Sequence, residues 1–184
     1  MVNPSISEAS AQLAGVTRQQ HNLLGEHVYE YFDYLCIMST TLSLCHFVFN
    51  TYCRKMTIEP ANEEALYRFI WKQLDKMRCK LLRIGGIPNH IHLLVDIHPS
   101  VSQAKLAGEI KRLSSVWMSG SGLFPYFEGW GKEYFGFSKS LSDKNTVIEY
   151  IKNQKEHHKF CSFEDEIRKM VSDEGIEWDD SLLT

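Results

Sequence analysis

The sequence predicts an α+β fold: a ferredoxin-like antiparallel sheet of β-α-β-β-α-β order, with an appended helix that carries a tyrosine. Three observations predict it. Four short runs, "LSLCHFVFNTYC", "KLLRIGGI", "HIHLLVDI" and "EYFGFSKS", are apolar and β-prone. Two longer stretches with helical spacing separate the first run from the second and the third from the fourth. The second and third runs are separated by only Pro88-Asn89, a turn.

The elements follow in order. Residues 1–37 form an N-terminal extension. It opens with the polar, small-residue "MVNPSISEASAQLAG", a flexible lead-in, and continues to "HVYEYFDYLCIM", which is aromatic enough for a short packed helix. The first strand is Leu42–Cys53. In "ANEEALYRFIWKQLDKMRC", Leu66, Phe69, Ile70, Leu74 and Met77 share one helical stripe. The strand "KLLRIGGI" ends after Gly85-Gly86, and "HIHLLVDI" follows the turn. Ser100 or Ser102 caps a second helix through Leu106, Ile110, Leu113 and Trp117. "SGSGLFPYFEGWG" is a loop and Glu133–Ser140 a short strand. A helix capped by Ser142 or Asp143 then runs to about Phe160. Residues 38–160 form the main domain. Residues 161–184 form an acidic helical tail, packed by Ile167, Met170 and Val171.

Composition narrows the class. The chain has 184 residues, 43% hydrophobic and 23% charged, which suits one globular domain with a core. It shows neither a secretory signal pattern nor an apolar run long enough for a membrane span. Cys36, Cys45, Cys53, Cys79 and Cys161 form no C-x-x-C pair and read as reduced thiols, so a cytoplasmic location is expected. The net charge is −3, unevenly spread: residues 1–37 carry one basic and four acidic side chains, and 161–184 carry two and eight. The middle is therefore basic, which is compatible with a polyanionic partner without requiring one.

The strand "HIHLLVDI" raises a chemical question. Side chains alternate across a strand, so His90 and His92 share one face while Ile91, Leu93, Val95 and Ile97 take the other. The pair is either two histidines on a half-exposed face or two legs of a metal site. His98, just before Pro99, reads as a turn residue. On the last helix Tyr150 and Gln154 are one turn apart, with Val147, Ile148 and Ile151 facing the sheet. A tyrosine hydroxyl beside a metal-bound phosphate is a competent nucleophile, and a glutamine oxygen can complete a site with two imidazoles. Mixed nitrogen and oxygen ligands suit Mn²⁺ or Mg²⁺, although two histidines alone could hold Zn²⁺ or Ni²⁺. The plainer alternative is an amphipathic tyrosine and an exposed helix former.

Three stretches, "GIPNHIHLLVDIHP", "FEGWGKEYFGFSKS" and "VIEYIKNQKEHHKF", together resemble the single-tyrosine transposases of the HUH superfamily. These are of the IS200-like insertion-sequence type, related to REP-associated tyrosine transposases. HUH stands for His-hydrophobic-His, here His90-Ile91-His92. The resemblance spans Ser39 to the C-terminus, and "CHFVFNTYCRK" is similar to the family's first strand. It implies that residues 38–160 are the catalytic domain of a metal-dependent single-stranded DNA transposase. It further implies a DNA strand transferase and endonuclease working as a homodimer on hairpin-marked element ends in the bacterial or archaeal cytoplasm, associated with the nucleoid. His90, His92 and Gln154 would be ligands of Mg²⁺ or Mn²⁺. Tyr150 would be the nucleophile, giving a 5′-phosphotyrosine and a free 3′-OH. Family members often share active sites between subunits, and the short Ser140–Asp143 linker does not distinguish cis from trans.

Other residues are weaker candidates. Arg54, Lys55, Lys105, Lys111, Arg112, Lys152, Lys155 and Lys159 are potential phosphate contacts, though each reads equally as a solvated helix face. Phe124, Tyr126, Phe127 and Trp130 would either stack on unpaired bases or cover the core. His157 and His158 are possible accessories, His46 reads as structural, and Tyr134 is the reserve nucleophile. Two other functions remain open. One is a non-catalytic single-stranded nucleic-acid module with aromatics on an open sheet face. The other is a domesticated relative that processes chromosomal hairpins.

Overall fold

Strand β1 (Leu44–Asn50, LCHFVFN) is buried along its whole length, because it runs through the middle of the sheet with cover on both faces. The computed structural model describes residues 41–179; the expected N-terminal extension lies outside the described residues. The elements that follow β1 are α1 (Glu63–Lys76), β2 (Lys80–Ile87), β3 (His90–Asp96), α2 (Gln103–Ser121) and β4 (Phe135–Lys139). Then come α3 (Lys144–Lys152), the single turn α4 (Gln154–His157) and α5 (Phe163–Asp173). The strand order is β2-β3-β1-β4 with every neighbour antiparallel, the order expected of the predicted ferredoxin-like fold.

Alternation divides the strands between two faces. Cys45, Phe47 and Phe49 of β1 and Ile91, Leu93 and Val95 of β3 enter the main core. Leu66, Ile70 and Leu74 of α1 and Leu106, Ala107, Ile110 and Met118 of α2 meet them there. Phe69 is displaced from the centre of its stripe and stacks on Trp117, joining the two helices with ring centroids 4.7 Å apart. The opposite face is also covered. Val147 and Ile151 of α3 pack on Leu94. Phe163, Ile167 and Val171 of α5 pack with Val48, Phe135 and Phe137. A sheet buried on both faces explains why "LCHFVFN" and "HIHLLVD" lack a clean polar–apolar alternation.

Two glycines set the spacing at the β2 side. A Cβ on Gly85 would stand 2.7 Å from the Ile151 carbonyl oxygen, so α3 rests on β2 only because that residue is glycine. A Cβ on Gly86 would meet the His90 carbonyl oxygen at 2.2 Å, where β2 and β3 pair next to the tight Pro88-Asn89 turn. That turn is anchored by Thr51, whose N–H and hydroxyl both donate to the Asn89 carbonyl.

Two expectations need adjusting. The helix expected to run unbroken to Phe160 breaks at Asn153, whose φ of −94° and ψ of 11° separate α3 from α4. The loop aromatics divide: Phe124, Phe127 and Trp130 cover the core, and Trp130 Nε1 donates to Ser114 Oγ at 2.9 Å. Tyr126 alone among the four is exposed.

Candidate metal and tyrosine site

The face of β3 that carries His90 and His92 is not wet. Both imidazoles are 0% exposed, enclosed by α3, α4 and α5, which removes the half-exposed alternative. Each ring is fixed through Nδ1. His90 Nδ1 meets Asn89 Oδ1 at 2.7 Å, and His92 Nδ1 meets His46 Nε2 at 3.0 Å. Both Nε2 atoms are left facing the same space, the orientation that buried metal-ligating histidines take when a neighbour holds the other ring nitrogen. Burial, then the nearby His92 and Lys139, holds His46 well below its ordinary pKa, so it is a neutral partner.

The helices supply the opposite wall. Glu166 of α5, 2% exposed, reaches in with both carboxylate oxygens. Oε1 accepts the Tyr150 hydroxyl and the Gln154 Nε2–H, the latter at 2.8 Å. Oε2 stands 3.4 Å from His90 Nε2, 3.5 Å from His92 Nε2 and 3.2 Å from His158 Nε2. His158 is braced from behind by the Cys161 carbonyl, 2.8 Å from its Nδ1. One ligand atom from each of His90, His92, His158 and Glu166 falls within 4.8 Å of the others.

The electrostatics fit a cation. Burial pushes His90 down to about 4, against the pull of Glu166, so its imidazole is neutral at pH 7. With its Nδ1 turned to Asn89 Oδ1, its Nε2 points into the group. That nitrogen faces Glu166 Oε2 and also Gln154 Oε1, each 3.4 Å away. His92 Nε2, buried, has no hydrogen-bond partner among the described residues. Burial favours the neutral form of Glu166, but His158, His90 and His92 outweigh it and hold the carboxyl well below its ordinary range. An orphaned nitrogen and an anionic oxygen around one point are the donors a divalent cation takes.

Tyr150 is half-buried beside this group. Its ring centroid lies 5.9 Å from that of His92 and 6.1 Å from that of His46. Burial first, and then the Glu166 carboxylate, push its phenol well above the usual value, so it is held protonated. The tyrosine and both strand histidines belong to the same chain, so in this arrangement they meet in cis.

The structure therefore brings together His90, His92, Tyr150, Gln154 and His158. His157 stands at the margin, its Nε2 3.8 Å from Glu166 Oε1. The proposed phosphate contacts are scattered over the surface and mostly engaged with neighbours. Arg54 pairs with Glu164, Lys55 with Glu128, Arg112 with Glu109, Lys152 with Glu149, Lys155 with Glu63 and Lys159 with Glu156. Lys111 holds the Lys132 and Glu133 carbonyls, fixing the loop before β4, and Lys105 is exposed on α2. His98 lies beyond β3 as a turn residue, bonded to Ser100. Tyr134 packs with Phe47 and Phe49 in the core, far from the phosphate chemistry asked of a reserve nucleophile.

Sequence reasoning missed Glu166 and Asn89 and gave His46 no role. A signal for Glu166 existed: it falls three residues after Phe163 and one before Ile167, on the stripe that α5 buries. A charged residue on a buried stripe requires a partner.

A family model described as "Transposase IS200 like" matches residues 39–154, which include His90, His92, Tyr150 and Gln154 but not His158 or Glu166. No curated protein matches the chain. Among solved structures, a REP-associated tyrosine transposase bound to a REP hairpin is similar at 14% identity and TM-score 0.51, covering 67% of this chain and 74% of that one. A protein of Deinococcus radiodurans R1 described as a candidate transposase is similar at 18% identity and TM-score 0.49, covering 63% and 93% respectively. The chain belongs to the IS200-like transposase family.

Proposed function

We propose that the chain is a metal-dependent DNA strand transferase in which Tyr150 attacks a phosphodiester of single-stranded DNA at a hairpin-marked end. The observation that carries this reading is the buried meeting of His90, His92, Gln154 and Glu166 against the hydroxyl of Tyr150. His90 and His92 would hold a divalent cation through Nε2, with Gln154 Oε1, Glu166 Oε2 and His158 as the further donors at hand. Bound there, Mg²⁺ or Mn²⁺ would polarise the scissile phosphate and offset charge in the transition state.

The remaining work falls to side chains. Tyr150 Oη forms the new bond to phosphorus as the bond to the 3′-oxygen breaks, leaving a 5′-phosphotyrosine and a 3′-OH. Glu166 Oε1 accepts the Tyr150 hydroxyl and so aims Oη; the phenolic proton leaves to solvent as the bond to phosphorus forms, and the departing 3′-oxygen takes a proton from solvent. The phosphotyrosine ester keeps the bond energy, so another 3′-OH can attack it and rejoin the strands without ATP. His46 and Asn89 hold the two histidine rings in place. The hairpin substrate is supported by the structure of similar fold that holds a REP hairpin. A non-catalytic reader of single strands would need aromatics on an open sheet face, whereas this face is closed and carries histidines.

The test is a denaturing gel of single-stranded oligonucleotides covering the element ends, incubated with protein and Mn²⁺ or Mg²⁺. A protein–DNA adduct that needs metal and disappears in Tyr150→Phe is expected. Cleavage retained in Tyr150→Phe would end the nucleophile assignment.

A further inference from the structure

A second concavity lies on the far side of Gln154. It is a cavity of about 390 Å³ at the β2 edge of the sheet, between α1 and the α3–α4 break. Its wall includes Tyr67 of α1, Arg83 and Gly86 of β2, and Lys152, Gln154 and Lys155. The volume lies in the range of sites that enclose one small ligand. Nothing in the metal and tyrosine chemistry accounts for it.

Arg83 is its unusual member. The Nε of this side chain is buried and has no hydrogen-bond partner among the described residues. A buried guanidinium nitrogen without an acceptor is costly, and native structures seldom leave one unless something else binds it. The planar fork of arginine suits a phosphate, whose oxygens can take two of its N–H groups together. Lys152 and Lys155 add positive charge at the rim. Lys152 pairs with exposed Glu149, a contact that exchanges at little cost, whereas Lys155 pairs with Glu63, which also lines the cavity and would have to give up this lysine to the phosphate. Tyr67, on the opposite wall, is mostly buried and stays protonated, so it offers an aromatic face and a hydroxyl.

Gln154 connects this cavity to the chemistry. Glu166 fixes its carboxamide so that Oε1 faces His90, and the same residue lines the cavity. Gln154 therefore borders both the histidine group and this cavity, at the start of α4 just past the helix that carries Tyr150. We propose that the β2-edge cavity binds one unpaired nucleotide flanking the scissile phosphate, with its phosphate on Arg83 and its base against Tyr67. The proposal rests on the strand-transfer reading and adds to it where the substrate runs. It assigns Arg83 and Tyr67, which that reading does not use, and gives Lys152 and Lys155 a definite ligand. The cavity takes a single unpaired base, so the strand must be unpaired at this point.

The experiment compares wild type, Arg83→Gln and the double variant Lys152→Gln/Lys155→Gln by fluorescence anisotropy. The probes are a fluorescein-labelled oligothymidylate and a blunt duplex of equal charge. Arg83→Gln should weaken oligothymidylate binding about tenfold, the loss of a charged hydrogen bond to phosphate, and leave the duplex unaffected. The slope of log affinity against log salt should fall by roughly one per lost contact. The lysine variant alters exposed side chains and carries the same test if Arg83→Gln melts at a lower temperature. Equal oligothymidylate binding in all three proteins, or equal losses on both probes, would overturn the proposal. The adduct assay separates the two readings. A metal-dependent adduct with Arg83-independent binding leaves the transferase and removes the cavity, and Arg83-dependent binding without an adduct does the reverse.

Discussion

Replacing Glu166 with glutamine is the sharpest test of the site, because it keeps the shape and removes the single negative charge among the four grouped donors. Those donors, from His90, His92, His158 and Glu166, lie within 4.8 Å of one another, so a cation held among them sits close to the carboxylate. Two unit charges about 4 Å apart interact by about 4 kcal/mol at an effective dielectric constant of 20, and a dication doubles that. The gain is offset because a carboxamide oxygen can still ligate, and because the buried carboxylate no longer has to be kept from water. A net loss of about 3 kcal/mol is a rise of roughly a hundredfold in the dissociation constant for Mn²⁺. Titration calorimetry with Mn²⁺ on the EDTA-treated protein measures it directly. The variant also weakens the contact that holds the Tyr150 hydroxyl and the Gln154 amide on one oxygen, so adduct formation should remain slow at saturating metal. Unchanged Mn²⁺ affinity would refute the ligand argument and leave Glu166 as a partner of Tyr150 and Gln154 alone.

Three further outcomes follow from the same geometry. His46→Ala removes the group that fixes His92 Nδ1 and should weaken Mn²⁺ binding roughly 10–100-fold, as losses behind a ligating histidine do, with calorimetry again the readout. Gly85→Ala places a methyl against the Ile151 carbonyl and must lift α3 off β2; adduct yield should fall even though no catalytic group changes, and a wild-type yield would show that helix placement is not limiting. In the metal-free protein, stability should decline as pH falls from about 6.5 to about 4. Burial depresses His90 to about 4, so in this window the unfolded chain takes up a proton that the folded one refuses, about 3 kcal/mol over the interval. His158 opposes this: burial alone would lower its pKa, but Glu166 outweighs burial and raises it, so its contribution is present below 6.5 and lost at higher pH. Thermal melts at pH 7 and pH 5 with EDTA measure the balance, and a higher melting temperature at pH 5 would contradict the His90 argument.

The fold was legible because its signals are local. "KLLRIGGI" became β2 at its expected bounds, and "HIHLLVD" became β3 with its histidines on one face, since period two and the Pro88-Asn89 turn leave little choice. The helix break at Asn153 had no comparable signal. His90, His92, Tyr150 and Gln154 were legible as spacing. His46 was not, because its contact with His92 depends on strand register. His46 pairs with Leu94 and Val48 with His92, which makes the two histidines diagonal neighbours on one face. No reading of β1 alone yields that. Glu166 lies beyond the stretch that matches the family model, on a helix whose tertiary position the sequence does not give.

Glu166 also alters the chemistry inferred from the strand and tyrosine motifs alone. Two imidazoles and a glutamine oxygen form a neutral set that leaves the full charge of a dication for phosphate oxygens. A carboxylate oxygen in that set takes up part of the charge, which by itself weakens phosphate binding. The other oxygen of the same group accepts the Tyr150 hydroxyl, while Oε2 faces the histidines. Burial, and then the adjacent carboxylate, raise the Tyr150 phenol, so the contact holds the hydroxyl in place with its proton on it. On the proposed mechanism one side chain would therefore serve both halves of the reaction, the cation through Oε2 and the aim of Oη through Oε1. A glutamine at this position lacks the charge on Oε2, and its one amide oxygen cannot make both contacts, so binding and chemistry should weaken together in that variant.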